Sequence, residues 1–166
     1  MPPSYSFDVP SSDADLSEYD PPGRIRRLPS WLAGQVAARA AGLVAEALAT
    51  DGLRRQHFLV LSALAERGAA SQAALGRRLL IDRSDMHALL GDLERDGLVT
   101  RVRDEQDRRR MLVDLTPAGA RALKRLDKRI EAAQEALVAP LSAADRRELH
   151  RLLTQLVEHH ARQRSR

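Results

Sequence analysis

Arg108, Arg109 and Arg110 stand in a row inside DEQDRRRMLVDLTPAG, residues 104–119. Three adjacent like charges repel one another, and an anionic partner relieves that cost. At the tip of a hairpin they would reach a phosphate backbone or an adjacent minor groove, where narrow width deepens the negative potential and favours Arg. A second constellation lies upstream, in RSDMHALLGDL. Read as a helix, it puts Met86, Leu89, Leu90 and Leu93 at i, i+3, i+4 and i+7, facing a core. Arg83, Ser84 and His87 share the opposite face with the small Ala88 and Gly91. Arg makes bidentate contacts with guanine, Ser adds adaptable hydrogen bonds, and a small residue at 91 permits close approach to a groove wall. The competing reading of both features is solvated surface. A basic run also closes the chain, from Arg162 to Arg166, so a run of cations is not by itself a site.

Other chemistries find less support. The chain has no cysteine, which excludes disulfides, thiolate metal sites and a cysteine nucleophile. His57, His87, His150, His159 and His160 form neither an H-x-x-x-H nor an H-E-x-x-H pair, so no metal is expected. There is no Gly-rich phosphate loop, no G-x-S-x-G and no carboxylate pair in an apolar setting, and Asp92, Glu94 and Asp96 read as solvated helix positions. Neither catalysis nor a cofactor is expected. The N-terminus lacks a basic stretch leading into an apolar one, and no apolar run reaches the roughly 18 residues of a membrane span, which makes the cytoplasm the default location. The net charge of +4 conceals an asymmetry: residues 1–22 carry five acids and no Lys or Arg, which leaves the remainder strongly basic. A basic body suits a polyanionic partner.

The elements that must position these residues follow from periodicity and caps. With 166 residues, 43% hydrophobic but only 3% aromatic, the chain reads as one mostly helical unit with a Leu, Val and Ala core. Residues 1–28 read as an acidic, disordered leader. Leu32, Val36, Leu43 and Ala47 define a first helix closed by Thr50-Asp51-Gly52. Residues 53–67 form a second, with Leu53, Val60, Leu61 and Leu64 on one face. Ser71 caps a short helix over 72–79, and Asp82 with Asp85 forms a capping box for 83–96, with Gly97 just past its end. Residues 98–103 and 110–115 read as strands flanking a hairpin loop. Thr116-Pro117 opens a helix to about 138, whose Leu123, Leu126, Ile130, Ala133 and Leu137 form a helix-packing seam. Ser142 with Asp145 opens the last helix, which carries Leu149, Leu152, Leu153, Leu156 and Val157. Two short helices followed by a hairpin describe a winged helix-turn-helix, so the fold class is mainly α with a small β-hairpin wing, a DNA-binding lobe and a helical dimerisation region.

The stretch from Gln56 to Gly119 resembles the MarR family of bacterial transcription regulators, whose hallmarks are D-x-R in the wing and V-x-L-T-x-x-G at the junction of strand and helix. Asp107-Arg108-Arg109 and Val113 to Gly119 match these, together with LERDGLVTR. The resemblance implies a winged helix-turn-helix lobe over 53–116 and a homodimer built from helices 29–50 and 117–162, in which the seam of the helix from 117 to about 138 serves the dimer. It also implies that Arg109 enters the minor groove, oriented by Asp107 and Asp82. Ser71, Gln72, Arg83, Ser84, His87, Arg108, Arg109 and Arg110 make up the expected DNA-binding set. A pocket for a small aromatic or anionic effector is further implied, with Trp31, Arg39 and His57 as candidates. The expected function is a ligand-responsive repressor on a pseudo-palindromic operator. The alternative is a non-catalytic winged-helix dimer that contacts another protein through its basic wing, which non-specific DNA affinity would separate from a DNA reader.

Overall fold

A computed structural model describes residues 20–104, 107 and 111–164. The acidic leader up to residue 19 and the expected wing arginines Arg108, Arg109 and Arg110 lie outside the described residues. The order is α1 (Gly23–Arg26), α2 (Pro29–Ala49), α3 (Arg55–Arg67), α4 (Gln72–Leu79), α5 (Arg83–Arg95), β1 (Val99–Arg103), β2 (Met111–Leu115), α6 (Pro117–Val138) and α7 (Ala143–Arg164). The expected class, mainly helical with a β-hairpin, holds. Strands β1 and β2 pair antiparallel, with Val99 opposite Leu115 and Arg103 opposite Met111. A bridge from the α3–α4 connection adds to their edge: the Ala70 and Val113 backbones exchange N–H to carbonyl bonds at 3.0 and 2.8 Å.

Most boundaries are set by local chemistry. Ser71 Oγ accepts the Ala74 N–H and Thr116 Oγ1 the Gly119 N–H, so α4 and α6 begin where the sequence places their caps. At the end of α5 the Leu98 N–H returns to the Leu93 carbonyl and the Gly97 N–H to that of Glu94, with Gly97 at φ +69°, a Schellman closure. The same closure at Gly52 draws Leu53 back toward Leu48, so α3 starts at Arg55 and not at 53, although Leu53 stays buried. Residues 23–26, assigned by sequence to the leader, form the short helix α1.

The strand-to-helix junction shows why its glycine is needed. Thr116 Oγ1 donates to the Gly97 carbonyl at 2.7 Å and lies 3.1 Å from that of Leu98. A Cβ on Gly119 would lie 2.0 Å from the Leu98 carbonyl oxygen, so only a bare backbone lets α6 dock against the entry to the hairpin.

The core joins Leu48, Val60, Leu61, Leu64, Leu75, Met86, Leu90, Leu93, Val113 and Leu126. One expectation changes here. The α6 seam, assigned to a dimer, is covered within the chain: Leu123, Leu126 and Ala133 are buried and Ile130 packs on the core, because α2 and α3 lie across this face. Leu32, Val36, Leu152, Leu153, Leu156 and Val157, on α2 and α7, remain exposed. Helix α2 is also long and apolar enough by composition to span a bilayer, with a mean hydropathy of 1.2 over its window, contrary to the expectation that no segment is. It carries Arg39 and Glu46 and packs against α6.

Candidate nucleic-acid interface

Helices α4 and α5 form the helix-turn-helix. Asp82 fixes the start of α5: its Oδ1 accepts the N–H of Ser84 at 2.8 Å, the N–H of Asp85 at 2.9 Å and the Ser84 hydroxyl at 2.7 Å. These bonds, the Asp85 N–H first, hold the Asp82 carboxyl below its ordinary range, and the Asp82 charge in turn raises that of Asp85. The helix divides as its sequence predicts. Met86, Leu89, Leu90 and Leu93 are buried, whereas Arg83, Ser84, His87, Ala88 and Gly91 are exposed.

A groove of about 1200 Å³ runs between the two helices. Gln72, Ala73, Gly76 and Arg77 line it from α4, and Arg83, Ser84 and His87 from α5. Gln72 Nε2 donates to the Arg83 carbonyl at 3.3 Å, so this side chain ties the two helix starts together. The Ser84 hydroxyl donates into the cap, which leaves its lone pairs to face outward as acceptors. Of the expected set, Gln72, Arg83, Ser84 and His87 are thus brought to one groove, with Ser71 capping the adjacent helix end. Asp107 is exposed. Asp82 works as the α5 cap, and the arginine it was expected to orient lies outside the described residues.

What holds α5 in place was not apparent from spacing. Asp92, read from sequence as a solvated helix position, is instead the centre of a brace, because its side chain is only 30% exposed and meets Arg54 Nη2 at 3.2 Å and Arg95 Nη2 at 2.5 Å. The Arg95 bond is the main cause that lowers its carboxyl pKa. Glu94, also read as solvated, receives Arg101 Nε at 3.1 Å and ties α5 to β1. His57 lies beneath this brace, 4% exposed, with its Nδ1 accepting the Arg54 N–H at 3.1 Å and its Nε2 3.6 Å from Asp92 Oδ2. Burial, then the Arg54 charge, lowers the His57 pKa, with Asp92 opposing. Arg77 is the charged groove residue that sequence reasoning passed over. Its exposure beside Arg83 depends on how α4 packs against α5, which the spacing within α4 does not encode.

The effector candidates are spread apart. Trp31 is half-buried at the start of α2, Arg39 is exposed two turns on, and His57 opens α3. At 1.5 Å per residue, about 26 Å of helix separates Trp31 from Leu48, which precedes α3. A single chain therefore does not gather the three.

Residues 51–110 match the model of the MarR family, and an HTH-type transcriptional repressor of Mycobacterium tuberculosis is 31% identical over 113 residues, which are 68% of this chain and 81% of that protein. The chain belongs to the MarR family. Among its MarR relatives, the transcriptional activatory protein BadR of Rhodopseudomonas palustris is 40% identical over 76 residues, 44% of this chain and 43% of BadR. A Thauera aromatica relative is matched over 64% of its length, so the chain spans less than two thirds of these last two. Among solved structures, the PcaV regulator of Streptomyces coelicolor in complex with its natural ligand is 30% identical, with a TM-score of 0.64 over 81% of this chain and 94% of that one. Proteins named as repressors and one named as an activator are thus among those this chain is similar to.

Proposed function

We propose that the chain is a homodimeric, ligand-responsive transcriptional regulator, a repressor that reads a pseudo-palindromic operator in double-stranded DNA. The observation that carries this reading is the exposed Arg83, Ser84 and His87 face of α5, held on a buried core beside the β1–β2 hairpin, between whose strands the sequence carries Arg108, Arg109 and Arg110. In this reading α5 enters the major groove. Arg83 and His87 read base edges, Ser71 and Gln72 approach the phosphates from α4, and the wing arginines grip the flanking minor groove, oriented by Asp107. The exposed α7 and α2 stripes meet those of a second copy and set two α5 helices about one helical turn of DNA apart. A small aromatic or anionic effector, seated near Trp31 and Arg39 in a site completed by the dimer, releases DNA only as far as it prefers the non-binding spacing. Such a regulator acts in the cytoplasm.

Selection of bound sequences from randomised duplex DNA at about physiological salt tests the reading. An inverted repeat with half-sites about 10 base pairs apart is expected. No enrichment, with weak binding even at low salt, overturns it and favours a protein-interaction module. On the selected duplex, Arg109→Ala is expected to weaken binding to all sequences and to reduce the salt slope by about one per protomer, about two for the dimer. An unchanged affinity and slope in a salt titration would remove Arg109 from the wing's grip.

A further inference from the structure

Three helices of this chain close on a left-handed residue whose successor's N–H returns five residues back, and in one of them that residue is not glycine. After α2 and α5 the left-handed position is glycine, Gly52 at φ +67° and Gly97 at φ +69°. After α4 it is Leu80, at φ +54° and ψ +41°, the only residue other than glycine with a positive φ among those described. The outer closing bond is equivalent: the Ile81 N–H returns to the Gly76 carbonyl at 3.0 Å, as Leu53 returns to Leu48 and Leu98 to Leu93, while the Leu80 N–H also turns to Gly76 where Gly52 and Gly97 bond three residues back. A Cβ is disfavoured in this conformation.

The Leu80 side chain recovers nothing in the folded chain, because it is 93% exposed, more than any other large apolar residue described. Leucine at this position is therefore doubly unfavourable for the isolated protein. Its surroundings are cationic: Arg77 and Arg78 precede it in the last turn of α4, Arg83 follows at the first turn of α5, and all are exposed. Neutral Ile81 and the capping Asp82 complete the turn into the groove that α4 and α5 share.

We propose that Leu80 is a DNA-contacting residue that lays its side chain against the apolar part of the duplex, a thymine methyl or a deoxyribose edge, between the phosphates held by the flanking arginines. This rests on the DNA-binding reading of the α4–α5 groove and adds to it a residue that carries no charge. The pattern of one apolar group among cations suits a polyanion with exposed hydrocarbon, and thymine C5-methyl groups are a recognised apolar feature of the major groove.

The test compares wild type with Leu80→Gly and Leu80→Met on the duplex that wild type selects from randomised DNA. Glycine accepts the left-handed conformation without strain, so Leu80→Gly is expected to keep or raise the melting temperature while losing roughly tenfold in affinity per protomer, on the scale of burying one leucine side chain. Its salt slope should match wild type, since Leu80 displaces no counterion. Leu80→Met should retain most of the affinity. The same duplex with thymine replaced by uracil separates the two contacts: a Leu80→Gly loss that disappears there identifies a methyl, and one that persists identifies the sugar. An affinity for Leu80→Gly within twofold of wild type overturns the proposal and leaves the DNA-binding reading intact. A fall in melting temperature parallel to the loss of affinity also overturns it, because Leu80 would then be structural. If wild type itself selects no duplex, both fall together.

Discussion

Helices α6 and α7 are 22 residues each and both carry apolar residues at helical spacing, yet the two stripes end in different surroundings. On α6, Leu123, Leu126 and Ala133 are buried by α2 and α3 of the same chain. On α7, Leu152, Leu153, Leu156 and Val157 stay 44–69% exposed, as do Leu32 and Val36 on α2. Exposed leucines singly are ordinary, but four apolar residues exposed along α7 and two more on α2 suit a face that the proposed dimer covers. The difference teaches that a seam shows that a helix packs and does not show on what. Leu126 belongs to folding, and the proposed dimer assigns Leu153 to association.

The contrast is most easily broken at Leu126, whose side chain is fully buried. Leu126→Ala is expected to cost about 2–5 kcal/mol through lost transfer energy and the cavity left behind. Urea denaturation measures this, and a loss under about 1 kcal/mol would mean that the α6 seam is looser than it looks. On α7, Leu153→Glu with Leu156→Glu should act on association instead, weakening the dimer by about 2–4 kcal/mol. Sedimentation equilibrium would show the shift to monomer, and melting temperature would cease to rise with protein concentration. A variant that stays dimeric would take α7 out of the interface and dissolve the distinction.

How much of this was legible from sequence follows the same division between local and distant causes. Ser71, Asp82, Thr116 and Ser142 announced their helices because a cap is decided within three residues of the chain, and Ser142 Oγ accepts the Asp145 N–H as its spacing implies. The division of α5 into a core face and an exposed face was equally local. The partner of Asp92 was not, since Arg54 stands 38 residues away and only the packing of α3 on α5 brings them together. The Ala70 bridge to Val113 and the choice between α2 and a second copy as cover for α6 are likewise tertiary decisions. Leu80 escaped notice for another reason: leucine is a good helix former, and nothing in its type announces a left-handed residue.

The smallest effect expected is also the one that tells the brace beneath α5 from the salt bridges on its surface. Surface pairs such as Arg151 with Glu148 contribute little in water. His57 differs because it is buried and its Nδ1 already accepts the Arg54 N–H, so protonation must break that bond and place a charge beside Arg54. Asp92 on α5 and Asp96 just past its end offset part of the cost, but burial is the larger influence and the pKa is lowered from 6.5. As pH falls through about 6.5, the unfolded chain takes up a proton that the folded chain refuses. The stabilisation His57 contributes is therefore fully present above that pH and declines toward the lowered folded value. His57→Asn offers an oxygen close to where Nδ1 accepts the Arg54 N–H and does not titrate. Melting temperature should fall less steeply for this variant than for wild type between about pH 7.5 and 5.5, a window set by the free imidazole. Equal slopes would mean that the site admits the proton freely, and that His57 is held by its cap bond alone and not by the dryness under Asp92.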